Sequence, residues 1–356
     1  MISVYIHIPF CKGICNYCDF CKMYKHDLWI DKYLMALERE IRKYYAFDKV
    51  KTLYFGGGTP SSLNIEQLEK LFEITKVFDL DENAEITFEC NVEDLTIEKL
   101  KFLKNKVNRL SIGVQTFDSS TLEELGRKNI DMNKIIRAKK YFKNINIDLM
   151  YGFQKGTLKN LKNDLKLFLE LDVPHLSAYN LILEEHTMLY LNDYKIKEDI
   201  RFDKLIDDML TKHGYKHYEI SNYAKEGYES KHNLTYWNNE KYYGFGLGAC
   251  GYLYDARYEN TRSLNKYLMG EFRKKRDTLD ENEKIQNEFI LGLRKIDGIN
   301  KEEFRKKYKR DIKDIKHVKT LLRKKQLLEN ESNIYINPEY IYVSNDILVN
   351  FIDDLL

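Results

Sequence analysis

The sequence predicts an α/β fold, built as an open partial (β/α)6 barrel with a small C-terminal α+β domain. Strand-like runs rich in β-branched and aromatic residues alternate six times with amphipathic helical segments, at a period of about 30 residues. This alternation is typical of parallel strands joined by right-handed crossovers. Closure in the familiar barrel takes eight units, so six units predict an open barrel.

The first unit shows the pattern. Residues 3–8, SVYIHI, have the composition of a buried strand, and a cysteine-rich loop follows them. Residues 27–45 then place apolar side chains, among them Leu34, Leu37 and Ile41, at helical spacing. The unit is therefore a strand, a loop and a helix.

Five further units follow in chain order. The predicted strands are 52–55, 85–90, 109–114, 145–153 and 175–181. The predicted helices are 64–78, 96–106, a pair within 119–143, 157–171 and 200–213. Each strand is followed by a helix, as a parallel sheet requires.

Polar and glycine residues come directly after several of these strands. They are the cysteine loop, the glycines 56–58, Glu89, Gln115 and Asp148. Reactive groups of such folds lie on the loops that leave the carboxyl ends of the strands. The sequence therefore predicts that these residues line one cavity.

The domain organisation changes after residue 214. We predict a partial barrel over 1–214, an aromatic and glycine-rich segment covering the cavity over 215–279, and a small helical domain of winged-helix type over 280–356. The last domain has lysine-rich amphipathic helices, a predicted hairpin around Asn337-Pro338 and a final short helix.

Composition excludes several classes of protein. The 356 residues carry 58 Lys and Arg against 56 Asp and Glu, a net charge of +2, which argues against a nucleic-acid or anionic-lipid binder. The amino-terminal run lacks a basic leader, and no stretch approaches the roughly 20 apolar residues of a membrane helix. We therefore expect a cytoplasmic protein without a transmembrane segment, in which clustered cysteines hold metal more often than disulfides.

Three cysteines stand together on the loop after the first strand. Cys11, Cys15 and Cys18 form C-x3-C-x2-C, and three thiolates at this spacing can hold three irons of a 4Fe-4S cluster, leaving the fourth iron open. The alternative is a structural zinc site in which Cys21 or His26 supplies a fourth ligand. The residues alone leave both possibilities open.

Six ordered motifs carry a family resemblance. They are YIHIPFCKGICNYCDF, FGGGTPS, LSIGVQTF, NIDLMYGF, YEISNYA and HNLTYW. In order and spacing the chain resembles the radical-SAM superfamily and, within it, the oxygen-independent coproporphyrinogen III oxidase-like group. The resemblance implies a partial barrel of radical-SAM type that binds a 4Fe-4S cluster and S-adenosylmethionine, the latter on the open iron.

The resemblance also implies roles for individual residues. Cys11, Cys15 and Cys18 match the cluster ligands. The positions matching contacts to S-adenosylmethionine and its cavity are Tyr5, Tyr17, Gly57, Gly58, Thr59, Glu89, Gln115, Arg127 and Asp148. For each of them the residues alone leave open a structural alternative: a core aromatic, an ordinary turn or a salt bridge.

Two features separate branches of this group. The coproporphyrinogen dehydrogenases have a long segment before the first cysteine and a further cysteine two residues after the third, where this chain has Phe20. The stretch HNLTYW fits the HemW-type haem chaperones instead, with His232 as the candidate axial ligand of haem. The alternative for His232 is a hydrogen-bonded core histidine. Cys21 departs from both branches and is interpreted as a spectator thiol that could otherwise compete for the open iron.

The predicted function is therefore a haem chaperone that binds a 4Fe-4S cluster, S-adenosylmethionine and haem. Its partners would be haem, an acceptor protein and an electron donor, without nucleic acid. Two alternatives stay open: an oxygen-independent coproporphyrinogen III dehydrogenase, and a radical-SAM modifier of RNA or protein. The second is suggested by the basic run 304–325, although such a run is usually a solvated helix face.

Overall fold

The computed structural model describes residues 1–352 and Leu355, and its main feature is one sheet of twelve strands. Six parallel strands form its centre, each beside its predecessor in the chain. They are β1 (Ile2–Ile8), β2 (Val50–Gly57), β3 (Leu80–Asn91), β4 (Arg109–Gln115), β5 (Asn144–Tyr151) and β6 (His175–Asn180). The predicted parallel α/β fold is confirmed.

Both edges of this sheet are extended by residues after 214. Beside β6 lies an antiparallel pair, β7 (Lys216–Glu219) and β8 (Asn222–Ala224). Beside β1 lies β9 (Tyr242–Phe245), which is parallel to it. Three antiparallel strands then follow: β10 (Cys250–Leu253), β11 (Ala256–Asn260) and β12 (Arg273–Thr278).

The sheet order is β12-β11-β10-β9-β1-β2-β3-β4-β5-β6-β8-β7. Within residues 1–352 the two edge strands do not pair with each other, so the barrel is open. The domain boundaries at residues 214 and 279 remain predictions.

Helices connect the parallel strands. They are α1 (Asp27–Tyr44), α2 (Ile65–Ile74), α3 (Ile97–Leu103), α4 (Ser119–Glu124), α5 (Met132–Lys139), α6 (Leu158–Leu171), α7 (Met188–Leu191) and α8 (Ile200–Lys212). Two more, α9 (Lys231–Trp237) and α10 (Leu264–Met269), precede and follow β9 to β11. Local signals mark their starts: Asn64 and Gln67 form a reciprocal capping box before α2.

Side chains alternate between two environments along the barrel strands. On β1, Val4, Ile6 and Ile8 are fully buried in the main apolar cluster, which also contains Ile30 and Leu37 of α1. The intervening residues of β1 face the other way and form polar contacts. The barrel therefore has an apolar helix-covered side and a polar interior, and this interior carries the candidate site.

Residues 281–351 pack around a second apolar cluster, in which the rings of Phe289 and Phe351 stack 4.2 Å apart. The helices are α11 (Glu281–Gly292), α12 (Lys301–Tyr308), α13 (Val318–Arg323) and α14 (Asn345–Leu348). The antiparallel strands are β13 (Ile299–Asn300), β14 (Leu327–Glu329) and β15 (Asn333–Ile336). Positions 353, 354 and 356 of the predicted domain lie outside the described residues.

The predicted position of the hairpin, around Asn337-Pro338, is wrong: the hairpin lies one strand earlier, between β14 and β15. The hairpin turns at Asn330, whose side chain accepts hydrogen bonds from the backbone N–H of Ser332 and Asn333, at 2.9 and 2.7 Å. Asn337 instead caps a 3-10 helix over Pro338–Val343, because proline fits the first helical position. Among the described residues, no helix has the length and apolar character needed to span a membrane.

Candidate functional site

A cavity of about 490 Å³ opens at the carboxyl ends of the parallel strands. It is bordered by the loop that carries Cys11, Cys15 and Cys18 (the cysteine loop), by residues 56–58 at the end of β2 (the glycine turn) and by the ends of β3 to β6. The predicted site residues around it are Cys11, Cys15, Tyr17, Cys18, Gly57, Gly58, Thr59, Glu89, Gln115, Arg127 and Asp148. Of the residues predicted to take part, Tyr5 and His232 do not line this cavity.

The cysteine loop is held in place by main-chain contacts. The N–H of Asn16 donates to the carbonyl of Leu125 at 2.9 Å, and the carbonyl of Asn16 accepts from the N–H of Leu189 at 3.0 Å. At the start of the loop, the hydroxyl of Thr59 lies 3.4 Å from Sγ of Cys11. The loop is thus anchored to α4, α7 and the glycine turn.

The three predicted cluster ligands, Cys11, Cys15 and Cys18, are free cysteines that border the cavity. Burial raises the pKa of Cys11 to about 11 and also raises the pKa of Cys18. A metal ligand must be a thiolate, so loading this site releases protons. The donor set fits a cluster held by three cysteines. A cluster spreads its cysteine ligands over several irons, whereas within the described residues no group of three or more His, Cys, Asp and Glu side chains is placed to hold a single metal ion.

Two other cysteines lie near this loop. Cys21 does not line the cavity, and a Cβ placed on Gly248 would come within 2.9 Å of its Sγ. Cys90 borders the cavity from β3, but it is buried and its Sγ lies 4.0 Å from the carbonyl of Phe88. The alternative zinc ligand His26 is exposed at the start of α1.

The glycine turn brings the backbone close to the cysteine loop. Gly57 has φ of +126°, and a Cβ there would lie 2.8 Å from the ring of His7. A Cβ on Gly58 would lie 2.7 Å from the carbonyl of Pro9 and 2.9 Å from Sγ of Cys11. Both positions need glycine, because any side chain would push the cysteine loop away from β2.

Arg127 joins the cluster end to the adjacent strands. Its guanidinium donates to the hydroxyl of Tyr17 at 3.1 Å, to Oδ1 of Asn91 at 3.1 Å and to the carbonyl of Gly113 at 2.8 Å. Nη1 also lies 3.7 Å from Sγ of Cys15. The guanidinium therefore places a fixed positive charge beside this sulfur.

Glu89 is a half-buried carboxyl of the cavity wall. Burial raises its pKa to about 7, against hydrogen bonds from the hydroxyl of Tyr54 at 2.8 Å and the N–H of Gly57 at 3.1 Å. It can therefore change protonation state near neutral pH and accept hydrogen bonds from a polar ligand.

Gln115 and Asp148 complete the wall. Gln115 has φ of +71° at the end of β4, a strained backbone that places its side chain at the cavity. Asp148 accepts hydrogen bonds from Asn146 at 2.7 Å and from Ser111 at 3.4 Å. Burial raises its pKa as well.

Tyr5 lies behind the glycine turn. Its hydroxyl donates to Nδ1 of His7 at 2.9 Å, and Nε2 of His7 donates to the carbonyl of Cys21 at 2.6 Å. Burial lowers the pKa of His7 to about 4, so the ring is neutral and can make both contacts. Tyr5 therefore supports the cysteine loop through His7, while its predicted contact to S-adenosylmethionine remains a prediction.

His232 lies on α9, behind the amino-terminal halves of the barrel strands, and is 1% exposed. Its Nδ1 is 2.7 Å from the hydroxyl of Thr52, and its Nε2 is 2.9 Å from that of Tyr236. Burial lowers its pKa to about 3. Both ring nitrogens are therefore engaged within the protein in this conformation, and its role as a haem ligand remains a prediction.

Several cavity residues were not predicted from the sequence, although Ser111 and Asn233 stand within the motifs LSIGVQTF and HNLTYW. The interior face of β4 contributes Arg109 and Ser111, and α9 contributes Asn233. The period-two alternation of a strand places residues 109, 111, 113 and 115 of RLSIGVQ on one face. Because Gln115 was predicted to line the cavity, this alternation could have indicated that Arg109 lines it too.

Comparison with known proteins supplies the family. Residues 5–168 match the model of the radical SAM superfamily. The heme chaperone HemW of Bacillus subtilis is 40% identical over all of this chain and all of that protein. HemW of Lactococcus lactis is 39% identical over 99% of this chain and 97% of that protein.

A solved structure shares the fold. Coproporphyrinogen III oxidase (HemN) from Escherichia coli superposes with a TM-score of 0.84, covering 98% of this chain and 89% of that one. At 23% identity this likeness shows the fold alone. It agrees with the predicted partial barrel of radical-SAM type.

Proposed function

The chain belongs to the family of the heme chaperone HemW within the radical SAM superfamily, and on this premise we propose that it binds haem and delivers it to an acceptor protein. The observation that carries the proposal is the similarity to HemW over the full length of the chain. Its cofactors are a 4Fe-4S cluster and S-adenosylmethionine.

The residues that border the cavity are of the kinds that bind these cofactors, which supports the proposal. Cys11, Cys15 and Cys18 would hold the cluster, which supplies an electron and one open iron when bound. Arg127 places its positive charge beside Sγ of Cys15, and the glycine turn allows a ligand to approach the backbone. The remaining proposed contacts to S-adenosylmethionine are those of Tyr5, Tyr17, Thr59, Glu89, Gln115 and Asp148.

We propose His232 as the axial ligand of haem. A neutral imidazole ligates iron, and the low pKa keeps this ring neutral at physiological pH. Nε2 must first exchange its contact with Tyr236 for iron, since both ring nitrogens are engaged. Haem binding at His232 therefore requires a local rearrangement of α9.

The direct test measures haem binding and S-adenosylmethionine cleavage side by side in anaerobically reconstituted protein. We expect a haem-induced Soret shift that is weaker in His232→Ala, and a cluster that is lost in Cys15→Ala. A matched control is Tyr215→Phe, which removes a buried hydroxyl on the far side of the barrel. Conversion of coproporphyrinogen III to protoporphyrinogen IX, with 5'-deoxyadenosine released, would overturn the proposal.

A further inference from the structure

Arg109 is a buried cation that lacks a direct ion pair within the described residues, although Glu89 and Asp148 are near enough to feel its charge. It is 2% exposed, it lines the cavity, and its Nε has no hydrogen-bond partner. Within residues 1–352 no carboxylate oxygen lies within 4.0 Å of its guanidinium, and no hydrogen bond of this side chain is formed. A buried charge without a partner is costly, so the cavity is built for something that neutralises it.

Arg127, the other arginine that lines the cavity, differs from Arg109 in its hydrogen bonds. Arg127 has two partners at each terminal nitrogen: Cys15 and Tyr17 at Nη1, and Asn91 and Gly113 at Nη2. Arg109 has all of its donors available. A planar guanidinium with free N–H groups suits a carboxylate, which it can bind through two parallel hydrogen bonds.

Arg109 lies far from the cluster end. It is the first residue of β4 and Gln115 is the last. At about 3.3 Å of rise per residue, the Cα atoms of Arg109 and Gln115 are about 20 Å apart along the strand. The cavity therefore has two ends of different chemistry: cysteines and glycines at one, and Arg109 at the other.

Asn233 faces the same cavity from α9. Its backbone N–H donates a hydrogen bond to the hydroxyl of Ser230, but its side-chain amide forms no hydrogen bond within the described part of the chain. Next to it on α9, His232 feels the charge of Arg109. An amide and a guanidinium that are both free and both face the cavity can donate to the same anion.

The acidic residues of the cavity do not occupy Arg109. Glu89 accepts from Tyr54 and Gly57, and Asp148 accepts from Asn146 and Ser111. Burial raises the pKa of both carboxyls against the lowering effect of the Arg109 charge, and for Glu89 the pKa rises to about 7.

We infer that Arg109 and Asn233 form a carboxylate-binding site at the end of the cavity opposite the cysteines. The inference rests on the proposed function, whose two organic ligands both carry carboxylates: the propionates of haem and the amino-acid end of S-adenosylmethionine. The family resemblance implies that the carboxylate of S-adenosylmethionine binds the open iron. The propionates of haem have no partner assigned so far, so they are the expected ligand of Arg109 and Asn233.

The test compares each ligand with an analogue that lacks the carboxylate. Wild-type protein and Arg109→Met are titrated with haem and haem dimethyl ester, and separately with S-adenosylmethionine and its decarboxylated analogue. We expect the wild type to bind haem about tenfold or more tightly than the ester, because charge-assisted hydrogen bonds are the strong ones. Arg109→Met should remove that preference, and Asn233→Ala should reduce it.

The control is Arg257→Met, which removes another arginine with an unpartnered Nε, outside the cavity. It should leave both preferences unchanged. If the preference in the S-adenosylmethionine pair is the one lost in Arg109→Met, the carboxylate site holds and its ligand is S-adenosylmethionine. The wild-type comparison of haem with its ester needs no variant, so a misfolded Arg109→Met does not remove the test.

Two results would overturn the inference: equal wild-type affinity within both ligand pairs, or an equal loss of affinity for ligand and analogue in Arg109→Met. Failure of the proposed function is distinct. In that case neither haem nor its ester binds, while the S-adenosylmethionine pair still tests the carboxylate site.

Discussion

The hydroxyl of Tyr236 lies 2.9 Å from Nε2 of His232, one helical turn earlier on α9. The two rings meet edge to face, with centroids 5.1 Å apart. The nitrogen proposed to bind iron is therefore occupied by a neighbour in the motif HNLTYW itself. If His232 ligates iron as proposed, Tyr236 would compete with iron for this nitrogen.

We expect Tyr236→Phe to bind haem more tightly than the wild type, by up to about tenfold, since a net hydrogen bond contributes about 0.5–1.5 kcal/mol. His232→Ala should weaken binding and alter the Soret band. Haem titration measures both, with Tyr215→Phe as the control for loss of a buried phenol hydroxyl. If Tyr236→Phe weakened binding as much as His232→Ala, the hydroxyl would orient the ring instead of competing with iron.

Cys21 should be dispensable for the cluster. Its thiol lies beside Gly248 and away from the cavity, and the contact that His7 makes is to its backbone carbonyl, which substitution keeps. After anaerobic reconstitution, we expect Cys21→Ala to retain the iron and sulfide content of the wild type and Cys15→Ala to lose it. Loss in both variants, or zinc without sulfide in the wild type, would contradict the assignment.

The pKa of Glu89 predicts a pH effect on stability. Burial raises this pKa from 4.5 to about 7, so between these values the folded chain holds a proton that the unfolded chain releases. The stabilisation is complete below about pH 4.5 and is lost as the pH rises through 7, a change of about 3 kcal/mol at 1.36 kcal/mol per pKa unit.

Urea unfolding of cluster-free protein from pH 5 to pH 8 measures this effect. We expect the wild type to lose stability relative to Glu89→Gln as the pH rises, because glutamine does not titrate. A difference in the free energy of unfolding that is independent of pH would show that Glu89 titrates at its ordinary pKa.

The local pattern of the chain is enough to predict the barrel. Apolar spacing and capping residues determine α1 and the start of α2 within a few residues, and the strand ends identify the cavity that Glu89 and Asp148 share. These signals are short in range. The hairpin near Asn337 is misplaced because the turn preference of Asn-Pro fits the start of a 3-10 helix equally well.

Contacts between distant residues are what the pattern does not contain. The engagement of His232 depends on Thr52, 180 positions away, so no local motif shows whether its ring is free. Arg109 stands first on an apolar strand, where a charged residue is typical of an exposed end. In the assembled sheet Arg109 instead lines the barrel cavity, beside residues of β3, β5 and α9. These neighbours are distant in the sequence, so the local pattern does not contain them.

The contact between Gly57 and His7 predicts a large effect of one methyl group. Gly57→Ala forces an L-residue into φ of +126° and places Cβ 2.8 Å from the imidazole. Gly214→Ala is the matched control, since Gly214 has φ of +80° and nothing within 4 Å of its built Cβ. The control should cost about 1–2 kcal/mol in the free energy of unfolding, the penalty of left-handed backbone.

We expect Gly57→Ala to cost about 3 kcal/mol or more, because steric strain against a buried ring adds to the backbone penalty. It should also lower cluster retention after reconstitution, since the displaced His7 ring holds the carbonyl of Cys21 and the hydroxyl of Tyr5. Urea unfolding and iron content measure the two effects. Equal losses of stability in both variants, with cluster content unchanged, would mean that His7 moves aside freely and that the close approach of β2 does not position the cysteine loop.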